Sequence, residues 1–187
     1  MDKYKKVVME YAENHKDEIL HNRGNGHALI IFQGIFKYAR KNIRVAAKDW
    51  SNTELVNRPE FIEALCEYLD RSGAELKLLL SSEPSRVALM RLKNNVFKAL
   101  FFHRAYGEGR VEIKVSDGKS FLKEGKPVHI CTADTLMYRI EDDIEERQAI
   151  CNFGDSKNTA SLEERFDKIF QNTEIVRPFT LSEGLLS

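Results

Sequence analysis

Ala28, Leu29, Ile30, Ile31, Phe32, Ile35, Phe36 and Ala39 make one segment that is apolar almost all round a helix. Such a helix has to be covered on several sides, so it lies at the centre of its fold and the rest of the chain wraps it. Lys37, Arg40 and Lys41 near its end suit the negative end of the helix dipole. Ile43-Arg44-Val45-Ala46-Ala47 then reads as a strand. Asn57-Arg58-Pro59-Glu60 is a helix start, with a capping Asn, a proline in the first turn and an acid after it. Phe61, Ile62, Leu65, Cys66 and Leu69 supply that helix's core stripe, and Gly73 its left-handed stop. Leu76-Lys77-Leu78-Leu79-Leu80 is the next strand, and Pro84-Ser85 opens a helix carrying Leu89, Met90, Val96, Phe97 and Leu100. Ahead of the central helix, Tyr4, Val7, Val8 and Tyr11 predict an amphipathic helix over 2–20, broken at Asn22-Arg23-Gly24-Asn25-Gly26. Glycines before a helix sometimes hold an anion, but with no preceding strand and no Lys-Ser/Thr pair the simplest reading here is a helix–helix turn.

The texture changes after Gly107-Glu108-Gly109. Arg110 to Val115 alternates with period two, as a half-exposed strand does. Residues 128–132 and 136–141 flank Ala133-Asp134-Thr135 as a tight hairpin, and 148–153 form a further strand. A last helix is predicted over 156–172, with Leu162, Phe166, Ile169 and Phe170 inward. The expected fold class is therefore α/β, a mixed sheet sandwiched by helices. Residues 1–25 form an N-terminal amphipathic helix and turn, 26–176 the α/β domain, and 177–187, with Pro178 and Ser182-Glu183-Gly184, a loose tail.

Composition narrows the function. The 187 residues carry 29 Lys+Arg against 29 Asp+Glu, which argues against a nucleic-acid coat protein or a polybasic membrane binder. No apolar run approaches the ~18 residues of a membrane span, and Met1-Asp2-Lys3-Tyr4-Lys5-Lys6 leads into no signal-peptide core. Cys66, Cys131 and Cys151 have neither disulfide nor zinc-site spacing, so a reduced, cytoplasmic setting without metal or cofactor is expected. Charge is nonetheless uneven. From Arg86 to Lys114 seven bases face two acids, and from Asp134 to Glu174 eleven acids face five bases. Opposed patches favour a protein partner. Arg86, Arg91, Lys93, Lys98 and Arg104, near Phe101, Phe102, His103 and Tyr106, are also candidates for a phosphate backbone, against the plainer reading of a solvated helix face.

Pro127-Val128-His129-Ile130-Cys131-Thr132-Ala133-Asp134, then Tyr138-Arg139-Ile140-Glu141 and Ala149-Ile150-Cys151-Asn152-Phe153, is the stretch richest in chemistry. A His on a strand, a hairpin, and a strand ending in Asn-Phe before a helix resembles the C-terminal half of a phospholipase D-like domain. The likeness runs from about Ala28 to Thr173. The family motif is His-x-Lys-(x)4-Asp with Gly-Ser-x-Asn downstream. His129 would stand at the nucleophile position, but Cys131 occupies the Lys place and Leu136 the Asp place. Asn152 would match the motif's Asn, yet Ala149 and Ile150 hold the Gly-Ser places. Phosphoryl transfer needs cationic and hydrogen-bonding groups on the non-bridging oxygens, which a thiol and an aliphatic chain do not supply. The resemblance thus implies a catalytically degenerate, single-copy member that pairs as a homodimer, with His129 and Asn152 as remnants.

Two further groups line up as binding residues. Arg139 and Glu141 alternate on one strand face, as a pocket wall or an ordinary salt bridge. Lys48, Asp49, Trp50, Ser81 and Ser82 share the carboxyl edge where open α/β sheets place their ligands, if the two strands are parallel neighbours. Glu112-Ile113-Lys114 lacks the upstream Asp of a metal nuclease and reads as an exposed strand. The expected function is a non-catalytic binding, sensing or accessory module within a larger complex. The alternatives are a phosphodiesterase or nuclease using His129, and a purely structural subunit.

Overall fold

The computed structural model describes residues 1–51, 54–85, 89, 95–116, 121–123 and 126–180. Helix α1 (Asp2–Glu13) leads into strand β1 (Leu20–Arg23) and the central helix α2 (Gly24–Tyr38). Then follow β2 (Asn42–Ala47), α3 (Pro59–Leu69), β3 (Glu75–Leu80), α4 (Val96–Phe102), α5 (Arg104–Gly107) and β4 (Val111–Ser116). The second half has a small ribbon, β5 (Leu122–Lys123) with β6 (Lys126–Pro127), then β7 (His129–Ala133), β8 (Met137–Asp143), β9 (Gln148–Asn152), α6 (Ser156–Phe170) and β10 (Val176–Pro178).

One eight-stranded sheet runs β1-β9-β8-β7-β2-β3-β4-β10. β2, β3 and β4 are parallel, and every other pairing in this sheet is antiparallel. Side chains alternate across it, as strand geometry requires. Ile43, Val45, Leu78, Leu80 and Cys131 join one apolar cluster with α2 and α3, whereas Ala46, Leu79 and Ile130 join a second with Phe166 and Phe170 of α6. The all-round apolar helix lies in the first cluster, where Ile31, Ile35 and Phe36 are fully covered. Phe32, Phe36, Phe61 and Trp50 pack edge-on or tilted there, each ring burying area worth roughly 1.5–3 kcal/mol.

The predicted β2, β3, β4, β7, β8 and β9, and helices α3 and α6, fall within a few residues of their sequence readings. The hairpin turn does too, with Asp134 and Thr135 both at φ 55°. The Asp134 carboxylate accepts the backbone N–H groups of Lys41 and Asn42 at 2.9 Å, which tethers the turn to the start of β2.

Four readings change. The first helix stops at Glu13, not Leu20, because His15 turns into a left-handed conformation (φ 49°) and Leu20–Arg23 pairs with β9 instead. The break at 22–26 is therefore a strand-to-helix corner, with Gly24 at φ +79° donating its N–H to the Arg147 carbonyl. Of the helix expected from Pro84, Leu89 is helical and donates its N–H to the Ser85 carbonyl, whereas Val96, Phe97 and Leu100 belong to a second, short helix beginning at Val96, where the Asn95 side chain caps the N–H groups of Phe97 and Lys98. Met90 lies outside the described residues. The tail is not loose at its start: Val176–Pro178 is an edge strand on β4, and Phe179 is buried against Phe97 and Phe101. Ser182, Glu183 and Gly184 lie outside the described residues.

Candidate functional site

β2 and β3 end side by side. The Lys48 carbonyl accepts the N–H groups of Ser81 and Ser82, each at 2.9 Å, so the carboxyl edges of the two parallel strands are tied together. On the other side of β2 the sheet direction reverses at β7. Ligands in open α/β sheets bind at such carboxyl edges, in a crevice where the topology switches. Two cavities open there. One of about 300 Å³ is lined by Phe32, Trp50, Leu55 and Val56 on its apolar side and by Lys48, Asp49, His129, Arg139, Glu141 and Arg147 on its polar side. The other, about 450 Å³, includes Ser81, Ser82, Ser116 and Phe121. Lys48, His129 and Ile144 border both.

The antiparallel register sets His129 directly opposite Glu141, and period two puts Arg139 on the same face. His129 Nδ1 donates to Glu141 Oε2 at 2.8 Å. Arg139 Nη2 donates to Glu141 Oε1 at 3.1 Å and to Asn22 Oδ1 at 3.3 Å, and the guanidinium stands 5.4 Å from the Phe32 ring centre. Arg147 reaches the same carboxylate at 3.7 Å. Burial alone would raise the Glu141 pKa, but the His129 hydrogen bond and the Arg139 charge outweigh it and hold the carboxyl below its usual 4.5. The ionised carboxylate orients the imidazole as the Nδ1–H tautomer. Nε2 then carries the lone pair, and it accepts the Lys48 backbone N–H at 3.2 Å.

The binding residues read from the sequence meet here. Lys48, Asp49, Trp50, Arg139 and Glu141 line the first cavity with His129, and Ser81 and Ser82 line the second. Arg139 and Glu141 are 3% exposed, so the solvated salt bridge gives way to a buried pair. Trp50 is a wall more than a rim: at φ 49° it turns its ring inward, edge-on to Phe61 and Phe97. The Asp49 carboxylate accepts from the Ser51 N–H and hydroxyl, leaving Lys48 as an exposed ammonium at the mouth.

Asn152 is elsewhere. Its Nδ2 donates to Asp17 and its Oδ1 accepts the N–H groups of Gly154 and Asp155, so it caps the turn before α6. Cys131 shares the His129 face of β7 but sits deeper, and burial pushes its thiol up to about 12. Arg104 binds the Asp70 carbonyl at 2.8 Å, and Lys98 is exposed on α4. Arg86, Arg91 and Lys93 lie outside the described residues. Lys114 donates to the Phe170 carbonyl at 2.9 Å, so it belongs to the α6 side and not to a solvated face. Among the described residues no group of three His, Cys, Asp or Glu side chains is placed to hold a metal ion, and no helix is long and apolar enough to cross a membrane.

Arg147 and Phe32 escaped the sequence reading as pocket residues, and so did Asn22 as a hydrogen-bond partner of Arg139. Arg147 sits in the β8–β9 turn at φ 55°, and only the shape of that turn brings it back over Glu141. Asn22 enters through β1, a polar strand with no periodic signal.

No protein-family model matches the sequence, and no curated protein matches it either. Solved structures do. TrmBL2, an archaeal chromatin protein whose structure shows a novel mode of DNA binding, superposes with a TM-score of 0.59 at 17% identity, over 95% of this chain and 63% of that one. Phosphatidylserine synthase of Haemophilus influenzae Rd KW20 does so with a TM-score of 0.53 at 10% identity, over 87% of this chain and 39% of that one. The chain spans less than two thirds of the length of either. At these identities the likeness is one of fold alone, a mixed α/β architecture.

Proposed function

We propose that this chain is a non-catalytic binding or sensing module on a degenerate phospholipase D-like fold, acting within a larger assembly. The observation that carries this reading is the hydrogen bond from the Lys48 N–H to His129 Nε2. A histidine nucleophile attacks with that lone pair, and here a backbone donor already holds it. Around it, Cys131 is a buried neutral thiol and Asn152 caps a turn, so neither reaches a phosphate that His129 would attack. What remains is a cavity with an apolar wall and a few fixed polar groups, the usual form of a small-molecule site.

A second reading has a specific observation behind it. A carboxylate on Nδ1, as Glu141 provides, is also how a histidine is oriented for nucleophilic or general-base work. Incubating the protein with bis-p-nitrophenyl phosphate and with plasmid DNA, beside a His129→Ala control, separates the two. The binding reading predicts no turnover above the control; His129-dependent turnover would overturn it.

The family resemblance and the opposed charge patches along the chain support a homodimer or a complex with a protein partner as that assembly. Nucleic acid is the less favoured partner, because Arg104 is tied to Asp70 and Lys114 to Phe170. Size-exclusion chromatography with light scattering is expected to give a dimer, and a salt-titrated DNA and RNA binding assay no steep salt slope.

A further inference from the structure

Within the cavity beside His129, one side chain is more deeply buried than its hydrogen bonds explain. Arg139 is 3% exposed, yet among the described residues only its Nη2 makes hydrogen bonds, to Glu141 and Asn22. Its Nε is buried and has no partner. Buried guanidinium donors are normally satisfied, and an arginine held rigidly with donors to spare is placed to receive an acceptor. Glu141 cannot absorb more of its charge, since the same carboxylate already serves His129 and Arg147.

The balance of charge around the cavity points the same way. Lys48, Arg139 and Arg147 face Asp49 and Glu141, with His129 as the Nδ1–H tautomer, so the lining carries one positive charge in excess. Lys48 makes no ion pair among the described residues and stands exposed at the mouth, where it would draw an anion inward. The lining also includes the Phe32 ring, 5.4 Å from the Arg139 guanidinium, the Trp50 ring, and the aliphatic Leu55 and Val56. The space, about 300 Å³, is at the small end of ligand sites.

Taking the binding reading above as given, we infer that the ligand is a small organic monoanion with an apolar body. Its carboxylate meets the Arg139 guanidinium, and its body packs against Phe32 and Trp50. The Arg139 donors not engaged with Glu141 and Asn22 are the ones the carboxylate meets, and a single negative charge neutralises the excess on the lining. Arg139 binds the ligand and His129 with Glu141 holds the polar wall in place; no bond is made or broken.

Calorimetric titration of the full chain tests this with matched pairs: benzoate against benzamide, and butyrate against butyramide, with inorganic phosphate as a further arm. At least one carboxylate is expected to bind, at least tenfold more tightly than its amide and more tightly than phosphate. Arg139→Lys, which keeps the charge and loses the additional N–H donors, is expected to weaken that binding at least tenfold, while Lys157→Ala, exposed on α6 and lining neither cavity, leaves it unchanged. The acid–amide comparison uses the natural chain, so it stands even if the Arg139 variant folds poorly. Amides binding as well as acids, phosphate binding in preference to both acids, or no binding by either carboxylate would overturn the ligand class. Binding of the amides alone would leave the module reading intact, whereas His129-dependent turnover of a phosphodiester would remove that reading whatever the acids do.

Discussion

The sheet carries two arginine–carboxylate networks, one on each face, the first part-buried and the second buried, and they are built differently. On the α6 face, Arg44 of β2 donates Nε and Nη2 to the two oxygens of Asp167 at 3.0 and 2.9 Å, and Nη1 to Asn42 at 2.6 Å. Its Nη1 also stands 3.1 Å from Glu163, whose carboxylate accepts both the N–H and the hydroxyl of Thr135. All three guanidinium nitrogens are used, and the hairpin turn, β2 and α6 are locked together. On the α2 face, Arg139 uses one nitrogen and leaves Nε unpaired beside a cavity. A saturated network fixes architecture, whereas an unsaturated one in a low-dielectric setting keeps a high-energy donor available. The difference is what supports the proposal of a ligand site on the second face.

Replacing each arginine in turn should break the symmetry between the two networks. Arg44→Met removes a fork-like clamp and strands two carboxylates, so we expect about 3 kcal/mol less stability in denaturant unfolding. Arg139→Met should cost about 1 kcal/mol or less, because losing the pair with Glu141 is offset by removing a buried unpaired donor, and His129 and Arg147 still face the carboxylate. Equal losses at the two positions would mean that the Arg139 network is structural after all.

Acid titration sharpens the contrast at a smaller scale. Glu141 is held below its usual 4.5 in the folded protein, so it binds protons less readily there than in the unfolded chain. Its contribution is present in full above that unfolded value and is lost as pH falls through the lowered folded value. As pH falls from about 6 through the usual carboxylate range and below it, the unfolding midpoint of the natural protein should therefore fall more steeply than that of Glu141→Gln. Parallel curves would show that the carboxylate is not held down by its partners.

Much of this was legible before any coordinates. The runs Ile43–Ala47 and Leu76–Leu80, apolar but for Arg44 and Lys77, read as strands, and once they are parallel neighbours, Lys48, Asp49, Trp50, Ser81 and Ser82 follow to one edge. Period two placed Arg139 and Glu141 on one face. What pattern could not supply was the register that sets His129 against Glu141. Nor could it supply β1, because Leu20-His21-Asn22-Arg23 lacks periodicity and becomes a strand only through the edge that β9 offers. Val176–Pro178 was hidden for a related reason: proline argues against a strand except at an edge, which is where β10 lies. Asn152 misled because the residue type matched a motif while its amide was engaged with Gly154 and Asp155.

The state of the His129 ring tests the account most directly. Long-range proton–nitrogen correlation spectra of the labelled protein should show Nδ1 protonated and Nε2 bare, with the Lys48 amide proton slow to exchange and unchanged by added phosphodiester. A ring protonated at Nε2, or a phosphorus–nitrogen coupling that grows in after bis-p-nitrophenyl phosphate is added, would contradict it and return the site to catalysis.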